Sequence, residues 1–411
     1  MNLRVESRRR QRRNIMLNKS PETKRALFVL LPLFILILIA VGWTPAHKTY
    51  DYFATLIFPE KVTPENLTVK FKAGEKIKVL IAPGHDNDSW GAGFTGIKEA
   101  DLNLEAGERL FNYLKQDFRF EVFITRDKNG YVSNFEKYFK EESSLILEFR
   151  NFWQNLFRTA IWTGLVEPKE KEYHGTASDE ASLKLYGINK WANENNIDIV
   201  LHLHFNDYPG RRFNKEGIYS GFSIYVPEKQ LPNSRASLAI AGPVSAQLNK
   251  YFSSSDLPQE KATIIEDQEL IATGSNASLS SASLVIEYGY IYQKEFISPS
   301  LRPLVLKELA FQTYSGIKKY FEPESRISNF KTSLLPYKWS RPLSLKERSV
   351  DVLALQAVLT NENLYNCHLS GYFGNCTEAA TREFQEKYGI EPIGVVGPQT
   401  LKKLNEIYGV D

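Results

Sequence analysis

Residues 76–85 read KIKVLIAPGH, and residues 198–206 read DIVLHLHFN. Each is a short apolar run, and the first stops at Pro83-Gly84, a break that ends a strand and opens a loop. Working outward, RFEVFITR (119–126), GFSIYV (221–226) and SLVIEYGY (283–290) read the same way. Between them lie segments with helical spacing. Leu102, Leu104, Leu110 and Leu114 mark one, and residues 234–252 and 302–320 mark two more. Strands alternating with helices predict an α/β fold with a mixed, mostly parallel sheet flanked by helices.

Chemistry-bearing side chains collect where these strands end. The chain has six histidines. His85 follows the first strand, while His202 and His204 sit two apart on the third and so share one face. Glu99 opens a helical pattern fourteen residues after His85. In open α/β sheets, ligands sit at the carboxyl ends of strands. Two imidazoles and one carboxylate form a common catalytic zinc set with a fourth position left for water. Glu287 stands in an otherwise apolar strand, where a charge is costly unless it is paired or functional. Spacing alone does not choose between His202 and His204. Both could be hydrogen-bonded core residues, and Glu287 could simply pair with a base.

About fifty residues between Arg126 and Asp179 break the rhythm and are rich in aromatics. Leu145, Phe149, Phe152, Leu156 and Ala160 keep helical spacing there. They predict an extra helix packed on the core; the sharper alternative is a lid over the site. His174, inside this insertion, reads as a solvated loop residue.

The chain of 411 residues carries a net charge of +3, but residues 1–25 alone carry nine Arg or Lys against two acids, leaving the rest about four units negative. A nucleic-acid binder would spread its basic residues over the folded part, so this distribution argues against nucleic acid. Residues 26–43, ALFVLLPLFILILIAVGW, are uncharged. Eighteen residues of helix cover about 27 Å, close to the hydrocarbon thickness of a bilayer. The basic tail then stays in the cytoplasm, and everything after residue 43 lies on the outer side. A cleaved signal peptide is the alternative, though the apolar run is long for one. Cys367 and Cys376, both on the expected outer side, are the chain's only cysteines and suit a disulfide there.

The stretch from residue 76 to about 320 resembles the zinc-dependent N-acetylmuramoyl-L-alanine amidases (the type 3 catalytic domain). The likeness rests on Pro83-Gly84-His85, Gly91-Ala92, Glu99-Ala100-Asp101-Leu102-Asn103-Leu104, Thr125-Arg126, Ala192-Asn193, His204-Phe205-Asn206 and Glu287-Tyr288-Gly289-Tyr290. It implies His85, Glu99 and His204 as Zn2+ ligands and Glu287 as the catalytic carboxylate. It puts Asn206 and Arg126 at the substrate, and His202 in the place of a family serine. The sequence departs from the pattern at Ala82, normally Asp, at Asp86-Asn87, normally Gly-Gly, and near Ile188, where an arginine is missing.

The C-terminal part resembles the peptidoglycan-binding type 1 module, a small three-helix fold. Asp351-Val352, Leu355-Gln356, Gly371-Tyr372-Phe373-Gly374, Phe384-Gln385 and Val396-Gly397-Pro398 carry that likeness. The expected order is a basic tail (1–25), a transmembrane helix (26–43), a stalk (44–75) and a catalytic domain (76–321, with an insertion at about 128–178). A linker (322–342) and a wall-binding domain (343–411) follow. The expected activity is cleavage of the amide between N-acetylmuramic acid and L-alanine in peptidoglycan, with room for an activating protein partner. A zinc peptidase acting within the stem peptide and a non-catalytic wall-anchoring scaffold are the alternatives.

Overall fold

A computed structural model describes residues 62–169, 177–273, 277–278, 281–328 and 330–410. The basic tail, the apolar run at 26–43, most of the stalk and His174 lie outside the described residues. Among the described residues, no helix is long and apolar enough to cross a membrane.

Six strands form the central sheet: β1 (Ile77–Pro83), β2 (Phe120–Ile124), β3 (Ile199–Asn206), β4 (Ser223–Pro227), β5 (Ile264–Asp267) and β6 (Ala282–Tyr290). Their order across the sheet is β2-β1-β3-β6-β4-β5. The pairs β1–β2, β1–β3 and β3–β6 are parallel, β6–β4 is antiparallel and β4–β5 is parallel. The sheet is therefore mixed and mostly parallel, as the sequence pattern predicts. The sixth strand, β5, reads IIED and sits at the edge. With two acids in four residues it shows no apolar run to announce it.

Side-chain alternation divides the sheet's two faces. Val79, Ile81, Ile199, Leu201, Leu203, Leu284 and Ile286 enter the main core, together with α2 (Glu99–Gln116), α6 (Ser234–Leu248) and α8 (Arg302–Phe321). Leu80 and Val200 face the other way, onto Ile188 and Ala192 of α5 (Asp179–Glu194) and Phe135 of α3 (Ser133–Glu141). By the same alternation His202, His204 and Glu287 belong to the α5 face.

Two segments are more ordered than their composition suggests. Residues 64–72, expected as stalk, form helix α1 (Pro64–Lys72), which Thr63 caps by accepting from the Asn66 N–H. Pro64 at its first turn and Glu65 beside it suit a helix start. Phe71 stacks on Phe321 at 4.6 Å and docks the helix on α8. In the segment expected as a linker, Thr332, Leu334, Leu335 and Trp339 are buried. The aromatic insertion forms α3 and α4 (Ser143–Trp162). Ile146, Trp153, Phe157 and Ala160 of α4 pack with Tyr186 of α5, Leu231 and Ala277 in a satellite core. A helix forms where the spacing predicts one, but Leu145 and Phe152 of the expected apolar stripe are exposed, and Ile146, Trp153 and Phe157 are buried instead.

The C-terminal helices α9 (Val350–Asn361), α10 (Asn375–Lys387) and α11 (Pro398–Tyr408) share the main apolar core through Val352, Leu355, Leu359, Phe384 and Leu404. The short helix α7 (Lys294–Ile297) holds Glu295, whose carboxylate pairs with His368 at 2.7 Å. Leu369 N–H donates to the Tyr251 carbonyl at 2.8 Å, beside that pair. Cys367 and Cys376 are joined in a disulfide, as the sequence suggests.

Candidate metal centre

β1, β3 and β6 are neighbours and run parallel, so their C-terminal ends reach one edge together. His85 follows β1 after one residue, Gly84. Its φ of 62° lies in the left-handed region, a strained conformation for a residue with a Cβ. Glu99 is the first residue of α2, where the helix dipole favours an anion. His204 lies near the end of β3.

These three side chains converge. Glu99 Oε2 is 3.2 Å from His85 Nε2, and Glu99 Oε1 is 2.8 Å from His204 Nδ1. One donor atom from each lies within 4.8 Å of the others. The backbone leaves room for this at two glycines. A Cβ at Gly84 would lie 2.2 Å from the His204 ring, and one at Gly91 would lie 2.3 Å from Glu99 Oε2. Two imidazoles and a carboxylate of this kind suit a divalent metal, zinc included.

The residues behind the ligands fix their orientation. The Ala92 N–H donates to Glu99 Oε2 at 2.8 Å. Asn103, one helical turn on from Glu99, donates to the Gly84 carbonyl at 2.9 Å and lies 3.4 Å from Glu99 Oε1. Asp86 closes the His85 turn by accepting from the Ser89 and Asp88 N–H groups. Lys184 of α5 pairs with Asp86 at 2.9 Å. The departure from the family pattern at Asp86 thus supplies an anchor of its own to this loop.

The electrostatics follow from burial and pairing. Burial works against ionised Glu99, but hydrogen bonds with His204 and His85 outweigh it and hold the carboxyl well below its usual range. At His85 burial is likewise outweighed by Glu99, and its pKa rises. At His204 burial wins and the pKa falls. An ionised carboxylate between two imidazoles is a donor set suited to a cation once the imidazoles are neutral.

Glu287 sits opposite His204 in the β3–β6 register. Its Oε2 is buried without a hydrogen-bond partner. Burial, then the nearby Glu99 and Glu260 carboxylates, raise its pKa well above the ordinary value. It is thus a buried carboxyl beside the three-ligand cluster with an oxygen left to act.

The other expected residues are placed differently. Asn206 donates to Glu260 Oε1 at 2.7 Å. Arg126 is buried and spends its guanidinium on the carbonyls of Pro83, Gly84 and Ala100. It braces the His85 loop from inside and is not open to a substrate, a correction to the sequence expectation. His202 is buried outside the cluster with Nε2 unpartnered, and burial, then His204, push its pKa down to about 3. Sequence reasoning missed Glu260, whose carboxylate accepts from Asn206, Tyr225 and Tyr290. No motif marks it. Asn103 was findable, because its i,i+4 spacing from Glu99 puts both on one helix face.

A His–Glu–His cluster with a free buried carboxyl, at the C-terminal edge of a mixed α/β sheet, is the arrangement of a metal-assisted hydrolase. Two family models match parts of the chain. Residues 79–146 match the N-acetylmuramoyl-L-alanine amidase family, and residues 348–404 match the peptidoglycan binding domain family. A curated relative from Kitasatospora aureofaciens, described as an uncharacterized protein in the bpoA1 3' region, is 42% identical over 71 residues. That alignment covers 17% of this chain and 60% of the relative's length. Among solved structures, the N-acetylmuramoyl-L-alanine amidase from Clostridium difficile 630 is 15% identical, with a TM-score of 0.39, over 61% of this chain and 100% of its own. The CwlD amidase from Clostridioides difficile, solved in complex with the GerS lipoprotein, is 14% identical over 61% and 100%, with a TM-score of 0.38. The catalytic domain of CwlV, an amidase from Bacillus (Paenibacillus) polymyxa var. colistinus, is 14% identical over 60% and 98%, with a TM-score of 0.37.

Proposed function

We propose that this protein is a peptidoglycan amidase that cleaves the bond between N-acetylmuramic acid and L-alanine, serving cell-wall remodelling or daughter-cell separation. The observation that carries this reading is the convergence of His85, Glu99 and His204 beside the unpartnered carboxyl of Glu287. The two family matches supply the substrate polymer.

His85, Glu99 and His204 would hold the metal, with zinc the ion this set fits best. When bound, such an ion supplies Lewis-acid polarisation of the scissile carbonyl and acidifies a water. Glu287 takes the proton from the attacking water and returns it to the departing L-alanine amine. A raised pKa makes the ionised carboxylate the stronger base. Glu99 holds both imidazoles in place, and Arg126 and Asn103 fix the Gly84 carbonyl beneath them.

The C-terminal segment would keep the catalytic part on the wall and raise its local substrate concentration. The apolar run at 26–43 would tether it to the cytoplasmic membrane with the catalytic part outside, limiting its reach to nearby wall.

Purified full-length chain incubated with isolated peptidoglycan tests the reading. Stem peptides with free L-alanine amino termini should appear, and a chelator should stop them. Fragments cut within the stem peptide would identify a peptidase instead. No release, with or without added zinc, would leave a wall-anchoring scaffold.

A further inference from the structure

A cavity of about 840 Å³ lies between the sheet domain and the C-terminal helices. Three parts of the chain build it. Lys250 and Tyr251 follow α6, and Ser315 and Lys319 come from α8. Arg326 and Lys331 come from the connecting segment, and Asn361, Asn363 and Tyr365 from the C-terminal domain. The last three fall within the peptidoglycan binding domain match.

The charge on its walls is one-sided. Four cations, Lys250, Lys319, Arg326 and Lys331, face a single carboxylate, Glu324. None of the four makes an ion pair among the described residues, whereas Lys318 pairs with Asp117 and Lys387 with Glu362. Burial, then the like charges of Lys319 and Lys331, hold the Lys250 ammonium below its ordinary value. Like charges that act on one another disfavour the charged form, and a bound anion would relieve this. Ser315 is 3% exposed, and its hydroxyl has no hydrogen-bond partner.

The wall itself is held firmly. Tyr251 Oη lies 2.9 Å from Asn361 Oδ1 and 3.0 Å from the Lys331 carbonyl, and Asn361 donates to the Phe330 carbonyl at 2.5 Å. The cavity is therefore preformed rather than a gap between loose domains. Its volume far exceeds a bare inorganic anion and falls in the range of drug-sized ligand sites. The exposed side-chain amides of Asn363 and Asn366 beside the cations suit a ligand with hydroxyls and peptide groups as well as acid groups.

We propose that this cavity binds a carboxylate-bearing peptidoglycan fragment, with Lys250, Lys319, Arg326 and Lys331 holding the acid groups of a stem peptide. The site is split between the two domains, so neither holds it alone. The inference rests on peptidoglycan being the substrate polymer.

Calorimetric titration of the metal-stripped full chain with a soluble disaccharide tetrapeptide tests it without turnover. The parent should bind, and Lys319→Glu with Lys331→Glu should weaken binding by about tenfold or more, the loss expected from two charge-assisted contacts. The milder Lys319→Gln with Lys331→Gln should lose less, which separates a charge effect from misfolding. Amidating the ligand's carboxylates should weaken parent binding by a similar factor. Binding indifferent to both changes overturns the proposal. So does inorganic phosphate binding as tightly as the tetrapeptide, because the site would then read a bare anion. A parent that binds the fragment yet releases no stem peptide from wall would sink the amidase reading and leave the cavity assignment standing.

Discussion

Glu287 of β6 stands opposite His204 of β3 in the parallel ladder, so the carboxyl and the His204 imidazole share one sheet face. On the proposed reading, His204 binds metal and Glu287 transfers the proton, and the two roles are independently testable. Glu287→Gln keeps the shape and removes the carboxylate. It should lower the release of stem peptides by about 10²–10⁴-fold, the usual worth of a general base. Metal content by elemental analysis should match the parent. Because Glu287 Oε2 has no partner, the neutral amide should cost the fold little. A variant that loses metal along with activity would place Glu287 among the ligands instead.

Removing the metal should stop catalysis without unfolding the chain. Glu99 already bridges His85 and His204 through hydrogen bonds, and Ala92 and Asn103 hold Glu99 in place. The empty site therefore keeps internal partners. Linkage sets the scale: free metal at 100 times its Kd adds about 2.7 kcal/mol to stability. A chelator should lower the melting temperature by a few degrees, and zinc should restore both midpoint and activity. His204→Ala should abolish the zinc-dependent rise.

How much of this was legible differs from residue to residue. The strands β1, β3 and β6 were legible because buried parallel strands are near-continuous apolar runs. Strand β5 was not, since an edge strand of four residues with Glu266 and Asp267 lacks that signal. His85, Glu99 and His204 stood out as histidines and a carboxylate at strand ends and a helix start. Choosing His204 over His202 needed the family pattern, because alternation puts both on one face. Only the fold shows that His202 lies one pair deeper, opposite Ala82 and Val285. Glu260 and the Lys184–Asp86 pair were not legible at all. Their partners lie 30 to 98 residues away, and no local spacing encodes such contacts.

Trp153 tests whether the insertion is packing or lid. It is buried in the satellite core that α4 shares with α5, and α5 carries the Lys184 that holds Asp86. Trp153→Ala should destabilise the protein by about 3 kcal/mol in urea unfolding, within the range for a large buried aromatic. Turnover on wall should fall or stay level. A variant with higher turnover and unchanged stability would show that α4 restrains the site.

Acid stability should turn on Asp117, which ends α2 and ties it to α8. Arg119 donates to Asp117 from Nε at 3.0 Å and from Nη2 at 2.9 Å, and Lys318 of α8 donates at 3.1 Å. Burial alone would raise the Asp117 pKa, but the hydrogen bonds from Arg119 and Lys318 outweigh burial and depress it. A depressed folded pKa means that the stabilisation is fully present above the unfolded value of about 3.9. It is lost as pH falls through the folded value, when the carboxyl takes up a proton. Asp117→Asn should therefore cost about 1–3 kcal/mol at pH 7, the scale of hydrogen bonds to a charged group. The gap to the parent should narrow as urea midpoints are followed below pH 4. A gap that stays constant down to pH 2 would mean that Asp117 stabilises by shape and hydrogen bonding rather than by its charge.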